Sequence, residues 1–389
     1  MMMKRLLILL TATLFLTASW ALAGPVKIGM ITTLSGGGSA LGIAVRDGFK
    51  LAIDQEGGKL GGYPVQLMVD DDSRKPDKAK QISDRFIKKD NVDIMTGIIW
   101  SNLAITVVPK AVRTGVFYIS PNAGPSLLAG KGCHENYFNV AWQNDNLDEA
   151  MGQYVKDKNF KKVFLLAPNY PAGKDHLKGF KRFYTGKPVA EVYTKLGQKD
   201  YAAQIAAIRS AKPDAVFFFL PGGMGISFIK QYNQAGLTKE IPLFGPAFSF
   251  DQTILSAVGN AALGVMNSSQ WNKDIDNPAN KRFVADFKKA YGRLPSLYAS
   301  QGYDAARLIA SAIKAVGGDM SKKDAFRKAL RKADFDSVRG NFKFGPNHHP
   351  VQDIYIREVV EEDGVLTNRI VTKAFTDHSD AYVGQCKMK

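Results

Sequence analysis

One polar pair in the sequence stands directly after a short apolar run. The stretch DIMTGIIWSNLAITVVPKAV, residues 93–112, is largely apolar up to Trp100, breaks at Ser101 and Asn102, and resumes with apolar residues at helical spacing. Ser and Asn side chains accept hydrogen bonds from the free N–H groups at a helix start, so the pair could cap a helix. A helix start also attracts anions, so the same residues could hold a negatively charged group. The stretch alone favours the capping role.

Other residues that could do chemistry argue against an enzyme. The stretch GGGSALG, residues 36–42, resembles a dinucleotide-binding fingerprint, but its G-x-G-x-x-x-G spacing favours a turn or a ligand loop. Asp70 to Asp72 precede Ser73 and a proline, which favours a turn over a metal site. His348 and His349 lack a third ligand at zinc spacing, which favours a surface turn. The sequence has no G-x-S-x-G elbow. We therefore expect a protein that is not an enzyme and has no cofactor or metal.

Strand-like runs alternate with helical patterns along most of the chain. One series runs from VKIGMITTLS to GVFYISPNAG, and a second from KKVFLLAPNY to IPLFGPAFSFDQTILSAVG. Such alternation predicts parallel sheets covered by helices on both faces. Residues 280–332 are helical in pattern, and the end of the chain alternates like a hairpin with a turn at Asp363-Gly364. We predict an α/β protein with two doubly wound, Rossmann-like domains.

The loops that follow the predicted strands share a composition. They combine Gly or Pro with Ser or Asn, usually beside an aromatic residue: TTLSGGGSALG, GIIWSN, SPNAGPS, PNYPAGKD, FLPGGMG and GPAFSFD. In open α/β sheets the ligand site lies beyond the carboxyl ends of the strands. Two such domains facing each other would place these loops around one cleft. A shared ligand site explains the loops together, which favours a binding role for Ser101.

The chain begins with the features of a secretory signal peptide. Lys4 and Arg5 precede an apolar segment, and Ala21-Leu22-Ala23 forms a cleavage signal before Gly24. The apolar segment is too short to span a membrane. We therefore predict export to the periplasm. Without Lys4 and Arg5 the net charge falls from +16 to +14, but the lysines are scattered, so we expect no nucleic acid partner. A basic surface attracts anionic ligands.

The two cysteines could form a disulfide in an oxidising compartment. Cys133 lies in a Gly-rich loop and Cys386 lies near the end of the sequence, and neither has metal-ligand spacing. We expect a bridge that holds the C-terminal tail, although two buried free thiols remain an alternative.

The predicted signal peptide and the loops together resemble the exported solute-binding proteins of ABC transporters. The resemblance is to the branched-chain amino-acid-binding group with the type I periplasmic binding protein fold. The resemblance covers essentially the whole chain after the leader. It rests on the motifs IGMITTLSGGGSALGIAVRDGFKLAIDQEGG, LMVDDDSRKPDKAKQ, FYISPNAGPSL, PAGKDHLKGFK, IKQYNQAGL and LFGP. It implies two lobes joined by three crossovers, which close on a small ligand like a hinge. It also implies a monomer whose partner is a membrane permease.

The resemblance also suggests where the lobes divide. We place the crossovers near residues 140–145, 268–271 and 336–341. After a signal peptide over residues 1–23, the N-terminal lobe is then predicted to comprise residues 24–140 and 271–336. The C-terminal lobe is predicted to comprise residues 141–270 and 337–389.

Ligand-binding roles can be carried over by position. In relatives the residue at the place of Ser101 donates its hydroxyl to a ligand carboxylate, so we expect Ser101 to be such a donor as well as a helix cap. The loop from Asn122 to Gly124 is expected to add backbone N–H groups and a side chain. Tyr170 is expected to contact the ligand from the other lobe. The expected ligand-binding residues are Leu41, Trp100, Ser101, Asn102, Asn122, Ala123, Gly124, Tyr170, Gly222, Phe248 and Tyr298.

One departure from the family pattern bears on the ligand. Amino-acid-binding relatives carry a Glu after F-x-G-P that pairs with the ligand ammonium, whereas this sequence reads LFGPAFSFD with Ala247 and Phe248 at that place. A buried ammonium without a partner costs several kcal/mol, so an amino acid would need another acid, such as Asp251. The loops instead carry the aromatic residues Trp100, Phe219, Phe248, Phe250 and Tyr298.

We therefore predict an aromatic carboxylate as the ligand. The combination WSN, SPNAG, PNYPAGKDH and FLPGGMG is similar to a subgroup that binds benzoate, hydroxybenzoate or coumarate derivatives. Two alternatives stay open: a branched-chain amino acid as the ligand, and a role as the ligand-sensing subunit of a membrane receptor, since one fold serves both roles.

Overall fold

The computed structural model describes residues 24–388, so the predicted signal peptide lies outside the described residues. The strands are β1 (Val26–Thr32), β2 (Lys59–Leu60), β3 (Tyr63–Asp71), β4 (Ile94–Thr96), β5 (Phe117–Ser120), β6 (Tyr137–Asn139), β7 (Val163–Pro168), β8 (Ala190–Thr194), β9 (Ala215–Phe218), β10 (Leu243–Pro246), β11 (Met266–Ser269), β12 (Phe342–Phe344), β13 (Pro350–Glu362) and β14 (Val365–His378). The helices are α1 (Ser39–Gln55), α2 (Pro76–Arg85), α3 (Ser101–Arg113), α4 (Ser126–Ala129), α5 (Asn146–Asp157), α6 (Pro171–Phe183), α7 (Ala202–Ala211), α8 (Gly223–Gln234), α9 (Gln252–Val258), α10 (Pro278–Tyr291), α11 (Leu297–Val316) and α12 (Lys323–Lys332).

The first sheet has the order β2-β3-β1-β4-β5-β6. Its strands are parallel except for the short β2, and the register places Ile28 opposite both Leu67 and Ile94. Every residue of β4, β5 and β6 is buried, as expected for parallel strands covered by helices on both faces.

The second sheet has the order β12-β13-β11-β10-β9-β7-β8, with β14 paired to β13. Strands β7 to β11 run parallel, and β13 is antiparallel to β11, β12 and β14. The turn between β13 and β14 is Asp363-Gly364, and both residues have positive φ, as a tight hairpin turn requires. The expected α/β architecture with two doubly wound sheets is confirmed, and so is the hairpin-like end.

The chain passes between the two sheets more than once. Residues 140–145 lead from β6 of the first sheet to α5 and β7 of the second. After β11 the chain returns to α10 and α11, which pack on α1 beside the first sheet, and residues 333–341 lead from α12 back to β12. We call each sheet with the helices packed on it a lobe. The residue limits given above for the lobes stay predictions.

Helices α1 and α11 approach each other backbone to backbone. A Cβ atom on Gly48 would lie 1.9 Å from the carbonyl oxygen of Ala299, and one on Gly302 would lie 2.2 Å from that of Val45. Only glycine fits at such contacts. The first lobe is therefore held together across a sequence separation of some 250 residues.

The third passage between the sheets is fixed by a buried ion pair. Asp304 on α11 accepts hydrogen bonds from the hydroxyl of Ser337, the N–H of Val338 and the guanidinium of Arg339. Arg339 also donates to the carbonyl of Ala141, in the first passage, at 3.2 Å. Two of the connecting segments are thus joined to one helix of the first lobe.

The expectation that His348 and His349 form a surface turn is wrong, because both residues are buried. The His348 ring stacks on Phe138 with centroids 4.0 Å apart, and its carbonyl accepts the N–H of Asn139. The turn that contains these residues packs against the end of β6, so its side chains contact protein and not solvent. Within residues 24–388 no cluster of His, Cys, Asp and Glu is arranged to hold a metal ion.

Cys133 and Cys386 are joined by a disulfide, with Cα atoms 5.7 Å apart. Cys133 follows α4, and Cys386 lies in the tail that runs on from β14. The bridge that the sequence led us to expect is thus present, and it holds that tail against the loop after α4. None of the helices in the part of the chain described is long and apolar enough to cross a membrane.

Candidate functional site

A cavity with about 320 Å³ of empty space lies between the two lobes, beyond the carboxyl ends of the strands. Residues from the loops after β4, β5, β6, β7, β9 and β10 surround it, together with residues of α1, α6 and α11, as expected for ligand sites in open α/β sheets. Its walls are formed by Leu41, Ile99, Trp100, Ser101, Asn122, Ala123, Trp142, Asn144, Tyr170, Ala172, His176, Phe219, Pro221, Phe248 and Tyr298.

Most of the residues expected from the sequence meet at this cavity. Those that line it are Leu41, Trp100, Ser101, Asn122, Ala123, Tyr170, Phe248 and Tyr298. Three others do not line it. Asn102 lies one residue further into α3, and Gly124 packs on the carbonyl of Trp142. Gly222 lies at the mouth, where a Cβ atom would approach the carbonyl oxygen of Gly37 in the other lobe to 3.0 Å.

Ser101 does not cap helix α3, so this part of the expectation is wrong. The capping position is held by Trp100, and no side chain bonds to the free N–H groups of the first turn. Ser101 is the first helical residue, and its Oγ accepts a hydrogen bond from Asn144 Nδ2 at 3.1 Å instead. The buried hydroxyl is therefore available to the cavity.

The loop from Asn122 to Gly124 uses its polar groups mainly within the protein. The Asn122 side chain donates to the carbonyl of Ile99 at 2.7 Å and accepts from Gln301 at 2.8 Å. The N–H of Ala123 donates to the carbonyl of Ile98, and that of Gly124 to Asn144, both at 3.3 Å. These bonds occupy the backbone N–H groups of Ala123 and Gly124, contrary to the expectation that the loop offers free N–H groups to a ligand. They also fix the conformation of the loop.

Aromatic rings form most of the walls. The rings of Trp100 and Tyr170 approach each other across the lobes with centroids 6.4 Å apart and planes inclined by 55°, and Tyr170 lies nearly parallel to Phe219 at the same distance. Phe248 contacts Trp142 with centroids 4.5 Å apart. Phe250, the remaining aromatic candidate, packs in the core against Phe218 instead. The wall of the cavity is thus largely aromatic, which suits an apolar ligand group.

Sequence reasoning missed several lining residues, above all Trp142, Asn144 and His176. The first two belong to the segment predicted as the first crossover, which we treated as a connection and not as a wall. His176 stands four residues after Ala172 in α6, and that spacing places both on one helix face. Two features of the sequence could have indicated these residues. One is the presence of the aromatic Trp142 and the amide Asn144 within the crossover segment, and the other is the four-residue spacing of Ala172 and His176.

A chain of hydrogen bonds connects the two lobes beside the cavity. Asn144 donates to Ser101 Oγ and, at 3.0 Å, to a carboxylate oxygen of Asp175 in α6. Asp175 in turn accepts from the N–H of Ser126 at 2.9 Å and from its hydroxyl at 2.7 Å. Burial raises the pKa of Asp175, and the bonds from Ser126 and Asn144 oppose that shift. This chain stabilises the contact between the lobes.

His176 is fully buried, and Nδ1 of its ring contacts Asp148 Oδ2 in α5. The ring stacks on Phe219 with centroids 3.5 Å apart and meets Phe248 edge-on. Burial lowers the pKa of His176 well below its usual range. Burial, with the neighbouring charges of Asp145 and Glu149, raises the pKa of Asp148. Burial thus disfavours the charged form of each of the two groups.

No carboxylate lines the cavity in the part of the chain that the structure describes. Ala247 is fully buried, and Phe248 reaches the cavity in its place. Asp251 caps α9 by accepting the N–H of Thr253, and its second oxygen accepts the N–H of Leu297. Asp251 therefore does not supply the acid that a ligand ammonium would need.

Comparisons with known proteins agree with this architecture. The model of a family described as periplasmic binding protein matches residues 25–364. The chain belongs to the periplasmic binding protein family. This is a family of solute-binding proteins and not of enzymes. Within it, the chain is 29% identical to the "Leu/Ile/Val-binding protein homolog 6" of Brucella melitensis, over 94% of this chain and 96% of that one.

Two solved structures of ABC transporter solute-binding proteins are also similar. One, from R. palustris in complex with benzoate, has a TM-score of 0.89 and 33% identity over 94% of this chain and 100% of that one. The other, from Rhodopseudomonas palustris BisB5 in complex with 3,4-dihydroxybenzoic acid, has a TM-score of 0.84 and 31% identity over 91% and 98%. The periplasmic binding protein fold is therefore shared over nearly the whole described chain.

Proposed function

We propose that this protein is the solute-binding component of an ABC importer and that it binds an aromatic carboxylate in the cavity between its lobes. The observation that carries the proposal is the wall of the cavity, which combines aromatic rings with a few neutral polar groups and has no carboxylate among residues 24–388. The aromatic side chains of Trp100, Tyr170 and Phe219 in this wall suit an aromatic ligand. The similar proteins from R. palustris that hold benzoate and 3,4-dihydroxybenzoic acid support the same ligand class.

Ser101 is the proposed contact of the ligand carboxylate, and Asn144 positions its hydroxyl. Both residues are buried and line the cavity, and Asn144 donates one amide proton to Ser101 Oγ and the other to Asp175. When Ser101 Oγ accepts from Asn144, its own proton is free to point at a carboxylate oxygen. Tyr170 and Tyr298 also line the cavity, and their hydroxyls are the proposed contacts of ring substituents.

A branched-chain amino acid is the second candidate, because a relative is described as a Leu/Ile/Val-binding protein homologue. Such a ligand carries an ammonium group, which needs an anionic partner once it leaves water. Two acids are hydrogen-bonded to lining residues, Asp175 to Asn144 and Asp148 to His176, and neither of them lines the cavity itself. The geometry therefore favours a carboxylate ligand that carries no ammonium group.

Calorimetric titration with two matched compounds tests the proposal. Phenylalanine and 3-phenylpropionate differ only in the amino group, so their affinities isolate the effect of the ammonium. We expect 3-phenylpropionate or benzoate to bind a hundredfold or more tighter, since an unpaired ammonium costs several kcal/mol and each 1.4 kcal/mol is about tenfold. Micromolar binding of leucine with no heat from either aromatic acid would show that the ligand class is wrong while leaving the family unchanged.

The partner and the compartment follow from the importer role. We propose export by the signal peptide over residues 1–23, function in the periplasm, and delivery of the ligand to a membrane permease. Loss of uptake of radiolabelled benzoate in cells that lack this protein, restored by the full-length chain but not by a chain without residues 1–23, tests both points.

A further inference from the structure

The hydroxyl of Ser101 could serve a ligand either as a donor or as an acceptor, because a serine hydroxyl carries one proton and two lone pairs. Its role decides whether this part of the cavity selects an anion or a group that donates hydrogen bonds. Ser101 Oγ accepts a hydrogen bond from Asn144 Nδ2 at 3.1 Å. Its own proton is then the group left for the ligand. The preference of the cavity therefore depends on what keeps the Asn144 amide in this orientation.

The orientation of the Asn144 side chain is fixed by its other partners. Nδ2 also donates to Asp175 Oδ2 at 3.0 Å, and Oδ1 accepts the N–H of Gly124 at 3.3 Å. A rotation that exchanged the amide oxygen and nitrogen would place oxygen against the Asp175 oxygen and the NH2 group against the N–H of Gly124. Both contacts would then be repulsive. The amide is thus held with its NH2 group toward Ser101.

Asp175 is the stronger of these two constraints. Its Oδ2 accepts the backbone N–H of Ser126 at 2.9 Å, and a backbone N–H can only donate. Oδ2 is therefore an acceptor toward Asn144 as well, whatever the arrangement of protons at Oδ1, which contacts the Ser126 hydroxyl at 2.7 Å. Asp175 and Asn144 are both buried, so an amide group left without its acceptor there is costly.

The chain of hydrogen bonds crosses the boundary between the lobes. Ser101 and Ser126 start helices α3 and α4 of the first lobe, and Asp175 belongs to α6 of the second. Asn144 lies in the first passage between the sheets. The chain from Ser101 through Asn144 and Asp175 to Ser126 is therefore complete only while the lobes are in contact.

We propose that Asp175 sets the ligand specificity through Asn144: as a fixed acceptor it holds the Asn144 NH2 group toward Ser101, and this makes Ser101 a donor to the ligand. The cavity then favours a ligand acceptor such as a carboxylate over a ligand donor such as an amide N–H or an ammonium group. Asp175 is a positioning residue and does not line the cavity itself. The inference rests on the proposed function, in which the ligand carboxylate lies at Ser101.

Two substitutions of Asp175 separate its role as an acceptor from its charge. In Asp175→Asn the amide oxygen can replace Oδ2 and accept from Asn144, whereas in Asp175→Ala no acceptor remains; neither variant carries a charge. Calorimetric titration with benzoate and with benzamide, which has a similar shape, measures how strongly each variant prefers a carboxylate. We expect the ratio of the two affinities to be about tenfold lower in Asp175→Ala than in Asp175→Asn, the effect of losing one hydrogen bond to a charged group.

A weaker contact between the lobes cannot imitate this result, because it lowers both affinities and leaves their ratio unchanged. Ser126→Ala is the matched control, since it removes the hydroxyl contact with Asp175 and keeps the bond from Asn144. Its ratio should equal that of the unmodified protein. Equal ratios in Asp175→Ala and Asp175→Asn would overturn the inference and leave the proposed function intact. Absence of binding by benzoate and by 3-phenylpropionate to the unmodified protein would instead remove the proposed function, and this inference with it.

A substitution of Asn144 tests whether Asp175 acts through this residue. Asn144→Leu has a similar volume but cannot donate to Ser101, so it should lower the ratio by about the same factor. Adding Asp175→Ala to it should lower the ratio no further, because the two residues act in one chain. An additive further fall would contradict the inference. Thermal unfolding of each ligand-free variant verifies that it is folded, and Asp175→Leu replaces Asp175→Ala if the latter does not fold.

Discussion

Ser101 lines the cavity with its hydroxyl and does not cap α3. Its contribution to ligand binding can therefore be separated from its contribution to stability. Replacing Ser101 by Ala should weaken binding of an aromatic acid by about 1.5–3 kcal/mol, the value of a hydrogen bond to a charged group. The unfolding midpoint should change little. Thr106→Ala, which removes an exposed hydroxyl from the same helix, is the matched control. An unchanged dissociation constant for Ser101→Ala in calorimetry would exclude the carboxylate contact.

The sequence predicts single residues well where they follow a strand and poorly where they act at a distance. Ser101 was found because it follows a buried strand, and such ends meet at one edge of a sheet, whereas Tyr170 was found through the resemblance to the binding-protein family. His176 was missed because its partner Asp148 lies on another helix, and nothing in local spacing shows that the two meet. The capping role of Ser101 was wrong by one residue, which is within the usual uncertainty of helix ends.

At the scale of elements, the contact between α1 and α11 depends on glycine. Alanine normally stabilises a helix by about 0.8–1 kcal/mol relative to glycine. At Gly302 the added Cβ atom would lie 2.2 Å from the carbonyl oxygen of Val45. We therefore expect Gly302→Ala to lower the free energy of unfolding by about 1–3 kcal/mol instead of raising it, because the added Cβ atom overpacks the contact.

Urea unfolding measures this effect, and Gly384→Ala is the matched control because a Cβ atom there meets nothing within 4 Å. A higher midpoint for Gly302→Ala than for the unmodified protein would show that the two helices can move apart without cost.

The order of elements could be predicted because the periodicity of apolar residues changes clearly between strands and helices. How α11 returns to α1 could not be predicted from spacing, since the two helices are about 250 residues apart in the chain. The same holds for Asp304 and Arg339, whose pairing joins α11 to the third passage between the sheets. Such contacts depend on the assembled lobes and not on the local sequence.

At the scale of the whole molecule, the disulfide joins Cys133 and Cys386 across 253 residues. Closing so long a loop restricts the unfolded chain, and the chain-entropy model gives about 4–5 kcal/mol as an upper value. We expect Cys386→Ser to lower the urea midpoint and to leave binding of an aromatic acid nearly unchanged, because neither cysteine lines the cavity.

The double variant in which Cys133 and Cys386 are both Ser is the control, and it should be no less stable than the single variant. Equal midpoints for the reduced and oxidised forms of the unmodified protein would contradict a stabilising role of the bridge.

The contacts across the cavity, where Gly222 lies against Gly37 and Trp100 approaches Tyr170, have a consequence for the timing of release. A ligand bound between the two lobes leaves most readily when the lobes part. Its residence time is then set by the frequency of that opening, and every contact that spans the lobes lengthens it. A protein that holds its ligand in this way releases it slowly on its own. Fast release therefore requires a partner protein that separates the lobes, so the contacts that favour tight binding also make release depend on that partner.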